Sequence, residues 1–409
     1  MGITLTTASS ILKEDYQPAI ADQLNNKTIL MQRLQRNTED FEGKRAYLPL
    51  HVSRNEGIGA RQEKGVLPTA GQQGYNAATW NMSYQYGRIE VSGPAMFSMK
   101  SDAGSFVRAV DSEVKGMVRD LSNDMNRQAF SNGSGALTLG TAIEPIGETT
   151  IAVASTKYLR VGMKIDMITD RTVSATGQSL SNVEITAVNP STNTFTVGAP
   201  GVSVATTAAN SVVARHGSYL NEMYGLDAVI NDGNPYSSVG VANTYGNIDR
   251  TVAANSWWQA NRLAQAGAAI SLDIMEQGID AGELAGDGET TLILTDYVQY
   301  RKYAALLIPD KRFPTANGQE IDLDGGFKAL TYDGVPVVKD KDAPAQNMWF
   351  LDEPSLMLFV LADFQWMDKD GSILSRVLNQ DNYEATLFAY IQLGCEHCNR
   401  QTVISGLAA

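Results

Sequence analysis

The sequence predicts an α+β fold, with strands and helices segregated along the chain and a small β-rich domain inserted between them. Three observations carry this reading. An apolar stripe at helical spacing runs through residues 103–130. A Thr- and Val-rich stretch, residues 136–217, breaks into short strand-like runs separated by Asn-Pro, Gly and Ser turns. The last third of the chain is a succession of strand-like segments such as MWFLD, SLMLFVLADFQWMD and YEATLFAYIQL.

Taken in order, residues 1–45 read as an extended arm. Ile20, Leu24, Leu30, Met31 and Leu34 are interrupted by Asn25, Asn26 and Lys27, so the segment has little to bury alone and is expected to lie across its own chain or a neighbour. Leu48, Leu50 and Val52 alternate as a strand, and Trp80, Met82, Tyr84 and Tyr86 alternate as a second strand with one large-residue face. Between them lies a glycine-rich stretch with the charges Arg54, Glu56, Arg61, Glu63 and Lys64 and almost no bulky apolar residue. A two-strand arm of this kind cannot build its own core and is expected to gain stability on a neighbouring subunit. Those five charges, with Trp80, Tyr84 and Tyr86, are the candidate inter-subunit contacts.

Phe106, Val110, Val114, Met117, Leu121 and Met125 then form the stripe of a helix roughly 40 Å long at 1.5 Å per residue, with Gly133 and Gly135 punctuating its end. The stretch 136–217 is expected to be a small β barrel or sandwich. Beyond it, Ala268, Leu272, Met275 and Ile279 share a helical face, TLILT is a short buried strand, and Asp296 is placed to cap a helix running to Leu307. The alternating charges of Lys339, Asp340, Lys341 and Asp342 read as a solvated loop.

The 409 residues allow two or three structural units. The balance of 32 basic against 45 acidic side chains, a net charge of −13, argues against gripping nucleic acid by phosphate neutralisation. The longest apolar run, residues 356–362, falls far short of the ~20 residues of a membrane span. MGITLTTASSILKEDY lacks the apolar core and basic lead-in of a signal peptide, so synthesis in the cytosol is expected.

Chemistry-bearing motifs are sparse. Cys395 and Cys398 could be redox-active or half a zinc site, but a second ligand pair is missing, so buried structural thiols are expected. The Asp-rich turns at Asp322–Gly325 and Asp368–Gly371 lack the spacing of calcium loops. No nucleophile elbow, phosphate-binding loop, dinucleotide fingerprint or zinc-protease motif occurs. No enzyme activity, cofactor or metal is expected.

In this order of elements the sequence resembles the major capsid proteins of tailed double-stranded DNA bacteriophages, which share the Hong Kong 97 fold. The stretches that carry the resemblance are residues 41–96, the helix ending in NRQAFSNGSG, LTYDGVPVVKDKDAPAQNMWFLDEPSL, and WMDKDGSILSRVLNQDNYEATLFAYIQL. The resemblance implies an N-arm over residues 1–45, an extended loop over 46–96 and a spine helix within 97–135. The inserted β domain follows at 136–217. A mainly axial domain would span 218–344, with its tip near residues 238–250, and residues 345–409 would be C-terminal strands of the peripheral domain.

It further implies a structural subunit that assembles as pentamers and hexamers into an icosahedral head around double-stranded DNA, without sequence-specific binding. The subunit would be made in the host cytoplasm and end in the virion, with a separate scaffolding protein, a portal and decoration proteins as partners. Some relatives join such a loop lysine to an asparagine of a neighbour. Here the corresponding candidates are Lys64 with Asn379 or Asn382, and Glu384 as the assisting carboxylate. A cellular encapsulin-like shell holding cargo enzymes is the alternative on the same fold, and a thiol oxidoreductase using Cys395 and Cys398 is a third reading.

Overall fold

The computed structural model describes residues 28–38, 45–92, 103–169, 178–198, 201–203, 211–232, 243–307, 321–323, 327–368, 375–377 and 380–409. The long apolar stripe forms a single 27-residue helix, Ala103–Ala129. Its C-terminal half buries Leu121, Met125 and Ala129, and the chain leaves it through Gly133 and Gly135, whose φ angles of 81° and 77° lie where glycine carries no Cβ penalty.

The body holds two large sheets, the first of which packs on this helix through residues 83–92. The first sheet has five strands: Leu356–Trp366 runs antiparallel to Asn382–Cys395, and Gln35–Asn37, Ser375–Arg376 and Ser83–Ser92 complete it. The second sheet has seven strands in the order Asn261–Ala264, Thr402–Ser405, Met348–Leu351, Leu292–Thr295, Val335–Lys339, Phe327–Tyr332 and Ile321–Leu323.

The strands of residues 345–409, expected to belong together, divide between the two sheets. Met348–Leu351 and Thr402–Ser405 pair with each other and with strands of the second sheet. All eight of their side chains are buried, and a strand buried on both faces takes its partners from inside a sheet. The 238–250 reading is corrected as well where residues are described. Tyr245 and Arg250 are each 1% exposed and belong to the interior beside Trp80 and Trp258, not to an exposed tip.

Two helices pack on the seven-stranded sheet. Asp296 caps Tyr297–Leu306 as expected, its Oδ1 accepting from the Gln299 amide at 2.7 Å. Ser271 caps Leu272–Gly286, and that cap sets the helical phase so that Ile274, Met275, Gly278, Ile279 and Gly282 face inward. Leu272 is consequently exposed, unlike the face read from the sequence. Gly278 allows Phe350 to lie on the helix backbone, since a Cβ there would fall 2.6 Å from the ring.

The insertion is a six-stranded antiparallel sheet in the order Ala136–Leu139, Val212–Arg215, Lys164–Ile168, Gln178–Asn189, Thr194–Val197 and Thr150–Ala152. Its two edge strands are joined by a bridge between Gly140 and Val153, with Thr141 N–H donating to Ala152 O and Ala154 N–H to Leu139 O. Closure removes the exposed edges, which makes the domain a small barrel. Its interior, built on Ile151, Ile165, Met167, Ile185, Phe195 and Val213, is separate from the main core.

Candidate assembly surfaces

The arm is a hairpin of Arg45–Ser53 paired antiparallel with Gly74–Asn81. Its root is fixed in the main core. Ala46, Ala78 and Trp80 are buried, and the Trp80 ring meets Tyr245, Phe359 and Trp258 at centroid distances of 5.6, 5.5 and 6.5 Å. Thr79 N–H donates to Gly246 O, and Gln392 Nε2 donates to Asn81 O. Trp80 is therefore spent inside its own chain, which corrects its assignment as a contact to a neighbour.

Trp80, Tyr84 and Tyr86 also do not share a face. The hairpin strand ends at Asn81 and the next strand, Ser83–Ser92, starts at Ser83, and Met82 and Ser83 are both buried across the break. Two consecutive inward residues invert the alternation. Gln85 then points inward, where its amide bonds the Gln128 side chain of the spine helix at 3.0 Å, while Tyr84 and Tyr86 face outward. They join Tyr390 and Phe388 in an exposed aromatic patch, with Tyr84 and Tyr86 edge-on to Tyr390 at 5.1 and 6.1 Å. The Tyr390 hydrogen bond, helped by burial, pushes the Tyr86 phenol up to about 12.

Beyond Ser53 and before Gly74 the arm loses contact with the body. Arg54 and Glu56 pair with each other at 3.3 Å, both exposed, an arrangement worth little. Asn55 ties the two sides of the tip, donating to Gly71 O and accepting from the Gly57 amide. Arg61 Nε closes a turn onto Val66 O at 3.0 Å; Glu63 and Lys64 sit in that turn, Lys64 with a φ of 62°. The tip also carries apolar residues that the sequence reading passed over. Ile58, Val66 and Leu67 are 72%, 89% and 81% exposed, and apolar side chains in a charged, glycine-rich stretch were the available signal.

Of the residues considered for a crosslink, Asn379 lies outside the described residues. Asn382 Nδ2 donates to Glu90 Oε1 at 2.6 Å, and Glu384 is paired with Arg88, all on the paired strands Ser83–Ser92 and Asn382–Cys395 of the five-stranded sheet. Lys64 is at the far end of the arm, so within one chain the structure does not bring it to them as neighbours in any strand pairing.

The barrel is bolted to the body at two places. At its stem, Arg127 of the spine helix bonds Asp124 at 3.1 Å and Glu222 at 2.6 Å, and Arg215 of the barrel bonds Asp124 at 3.0 Å. Burial raises Asp124, but the Arg127 and Arg215 guanidinium groups outweigh it and hold the carboxyl at about 2. At Glu222 burial wins over Arg127 and the carboxyl is raised. Asp124, Arg215 and Glu222 line a cavity of about 300 Å³ that reaches Tyr84 and Tyr86.

The second bolt is the loop read from sequence as solvated. Asp340 and Asp342 are in fact buried, because Asn126 of the spine helix donates to both, at 3.1 and 2.8 Å. Lys157 and Tyr158 of the barrel reach the same loop, and the Ile29 amide of the N-arm bonds Asp340. Burial raises Asp340 despite these donors. The N-arm helix Ile29–Arg33 is thus seated on its own chain, with Arg33 forked onto Glu353 through two 2.7 Å bonds.

Among the described residues no cluster of three His, Cys, Asp or Glu side chains is placed to hold a metal ion, and no helix is long and apolar enough to cross a membrane.

No family model matches the sequence, and no curated protein matches it. Solved structures do. The cyanophage A-1(L) capsid asymmetric unit has a TM-score of 0.63 at 14% identity, covering 100% of both chains. The capsid of the native GTA particle reaches 0.52 at 11% identity, covering 100% of this chain and 99% of that one. The holo-SrpI encapsulin complex from Synechococcus elongatus reaches 0.50 at 7% identity, covering 100% and 97%. The chain has the Hong Kong 97-type capsid fold, the α+β architecture expected from its sequence. That fold is the one seen in tailed-phage capsids.

Proposed function

We propose that this chain is the major capsid protein of a tailed phage: a non-enzymatic subunit that closes into pentamers and hexamers of an icosahedral head enclosing double-stranded DNA. The observation that carries the reading is the arm. It forms a hairpin, its root is locked in the core, and its distal half leaves Ile58, Val66 and Leu67 largely exposed. A rigid root and a coreless apolar tip suit a segment that finishes folding on a neighbour. The charge of −13 suits a container that must hold and release DNA without binding its phosphates.

In this reading Arg54, Glu56, Arg61, Glu63 and Lys64 lie on the next subunit, and the Tyr84 and Tyr86 patch belongs to a second contact. A scaffolding protein, a portal and decoration proteins are the partners, and the head is assembled in the host cytoplasm. The likeness to an encapsulin over the whole chain supports a second reading, a shell around protein cargo. Electron microscopy of the purified protein, with and without co-expressed phage genes, tests both. Closed shells holding DNA support the first reading and shells holding protein cargo the second, whereas a persistent monomer sinks both.

A crosslink between subunits from Lys64 to Asn379 or Asn382, formed with release of ammonia and with Glu384 as the assisting carboxylate, belongs to the same reading. Boiled, reduced particles would then run as a ladder on a denaturing gel, and a single monomer band removes the crosslink.

A further inference from the structure

Cys395 and Cys398 take no part in the surfaces above. Both are free and fully buried, and beside them lies Arg250, itself only 1% exposed. Arg250 Nη1 donates to Ala228 O at 2.7 Å and Nη2 donates to Cys398 Sγ at 3.2 Å. The guanidinium carbon stands 4.9 Å from the Tyr245 ring centroid, and Nε has no partner. No carboxylate among the described residues pairs with this cation. Its neighbour in sequence, Asp249, turns the other way and accepts from the amide and hydroxyl of Thr251.

A guanidinium does not give up its proton, and a buried charge without a counter-charge is strongly disfavoured. Two groups in contact with Arg250 could become anions. Tyr245 is the weaker candidate, because its hydroxyl donates to Leu393 O at 3.1 Å and burial pushes it well up. The sulfur of Cys398 is the other. We propose that Cys398 is a thiolate in the folded protein at neutral pH, held as the counter-ion of Arg250, and that it is the chain's site of reaction with small soft electrophiles.

The surroundings agree. Burial disfavours the Cys398 anion, but the hydrogen bond from Cys395 and the Arg250 charge outweigh it and hold the thiol below its ordinary range. Cys395 is pushed the other way by burial and by that same bond, so it is the protonated donor of the pair. The other titratable groups nearby are otherwise engaged. Arg400 donates to Gly286 O and reaches Asp352, and burial followed by the Arg400 charge lowers His397, leaving it neutral. Glu396 lines the same cavity, and no hydrogen bond or ion pair between it and Arg250 is present among the described residues.

Access comes from a cavity of about 420 Å³ between the arm root and the body, lined by Leu48, Leu50, Trp257, Trp258, His397 and Cys398 among others. With iodoacetamide as the probe, the thiolate attacks the iodine-bearing carbon, a C–S bond forms as the C–I bond breaks, and iodide leaves with the electron pair. No proton moves, so the rate follows the thiolate population.

The test is the pH dependence of alkylation in the full-length protein, read by intact mass and peptide mapping. The expected result is one adduct, on Cys398, at a rate that changes less than about twofold between pH 6 and 8. An ordinary thiol would speed up about tenfold per pH unit over that range. The ultraviolet thiolate band, compared with Cys398→Ser, provides a second reading that requires no entry of a reagent and should be present at pH 6. A tenfold-per-unit rise, an adduct on Cys395, no adduct in the folded protein, or absence of the band at pH 6 would each overturn the proposal. Arg250→Met, where it folds, should restore the steep pH profile.

Discussion

The arm and the inserted barrel both leave the body as extensions of the chain, yet they are built on opposite principles. The barrel closes its own edges, fills its own interior with Ile165, Met167 and Phe195, and is held to the body by polar bolts at Arg127, Arg215 and Asp342. The arm has a hydrophobic bolt, Trp80, and no interior of its own beyond it. A closed barrel is complete as a monomer, whereas an open hairpin with exposed Val66 and Leu67 is complete only against something else. The difference separates what the subunit needs for folding from what it needs for assembly.

The largest expected effect comes from removing the arm's distal half. Replacing residues 55–72 by a short Gly-Ser turn should abolish shell formation by electron microscopy while leaving the monomer's thermal unfolding nearly unchanged. Shells that still form would break the contrast. Next, Trp80→Ala at the arm root should cost about 3–5 kcal/mol in denaturant unfolding, whereas Leu67→Ser at the tip should stay within about 0.5 kcal/mol. Similar losses at both positions would show that the tip has a partner in its own chain.

Arg127→Met should cost about 3–5 kcal/mol, because it strands the buried carboxyl of Glu222 and leaves Asp124 with Arg215 alone. The loss should fall on the barrel's attachment, so hydrogen exchange should rise at residues 211–222 and stay low at Ile165 and Phe195. The smallest effect is the pH response of the same bolt. Asp124 is depressed to about 2, so its contribution is present above its unfolded value near 4 and is lost as pH falls from about 4 to 2, an effect of about 2 kcal/mol. Glu222 is raised, so its contribution runs the opposite way, present at low pH and lost as pH rises through its folded value. Asp124→Asn should flatten the acid limb of unfolding midpoints against pH, and an unchanged limb would show that Arg127 and Arg215 do not hold that carboxylate.

Local patterning carried most of the fold into view. The spine helix was legible because its stripe is long and its end is marked by Gly133 and Gly135, and the insertion was legible because its composition shifts to Thr and Val. Sheet membership was not legible. Met348–Leu351 and Leu356–Trp366 are adjacent and both apolar, yet they join different sheets, and only the four residues 352–355 separate them.

The candidate contacts divided in the same manner. The charged tip residues are exposed, as their sequence context implied, but one break at Met82 sent Trp80 into the core and Tyr84 and Tyr86 to the surface. Asp340 and Asp342 read as solvated because the asparagine that donates to both, Asn126, is more than two hundred positions away.

The stem of the barrel has one further consequence. The chain departs at Gly135 and returns at Ser218 with almost no space between, since a Cβ at Gly135 would lie 2.6 Å from the Ser218 carbonyl oxygen, and Leu220 N–H donates to Ser134 O. Entrance and exit therefore form one narrow port, and what hangs from it is invisible to the backbone on the body side. Any domain whose own ends lie side by side fits such a port. If the chain forms a shell, this is the position at which a foreign module could be spliced into every subunit, for display at high copy number on a single particle.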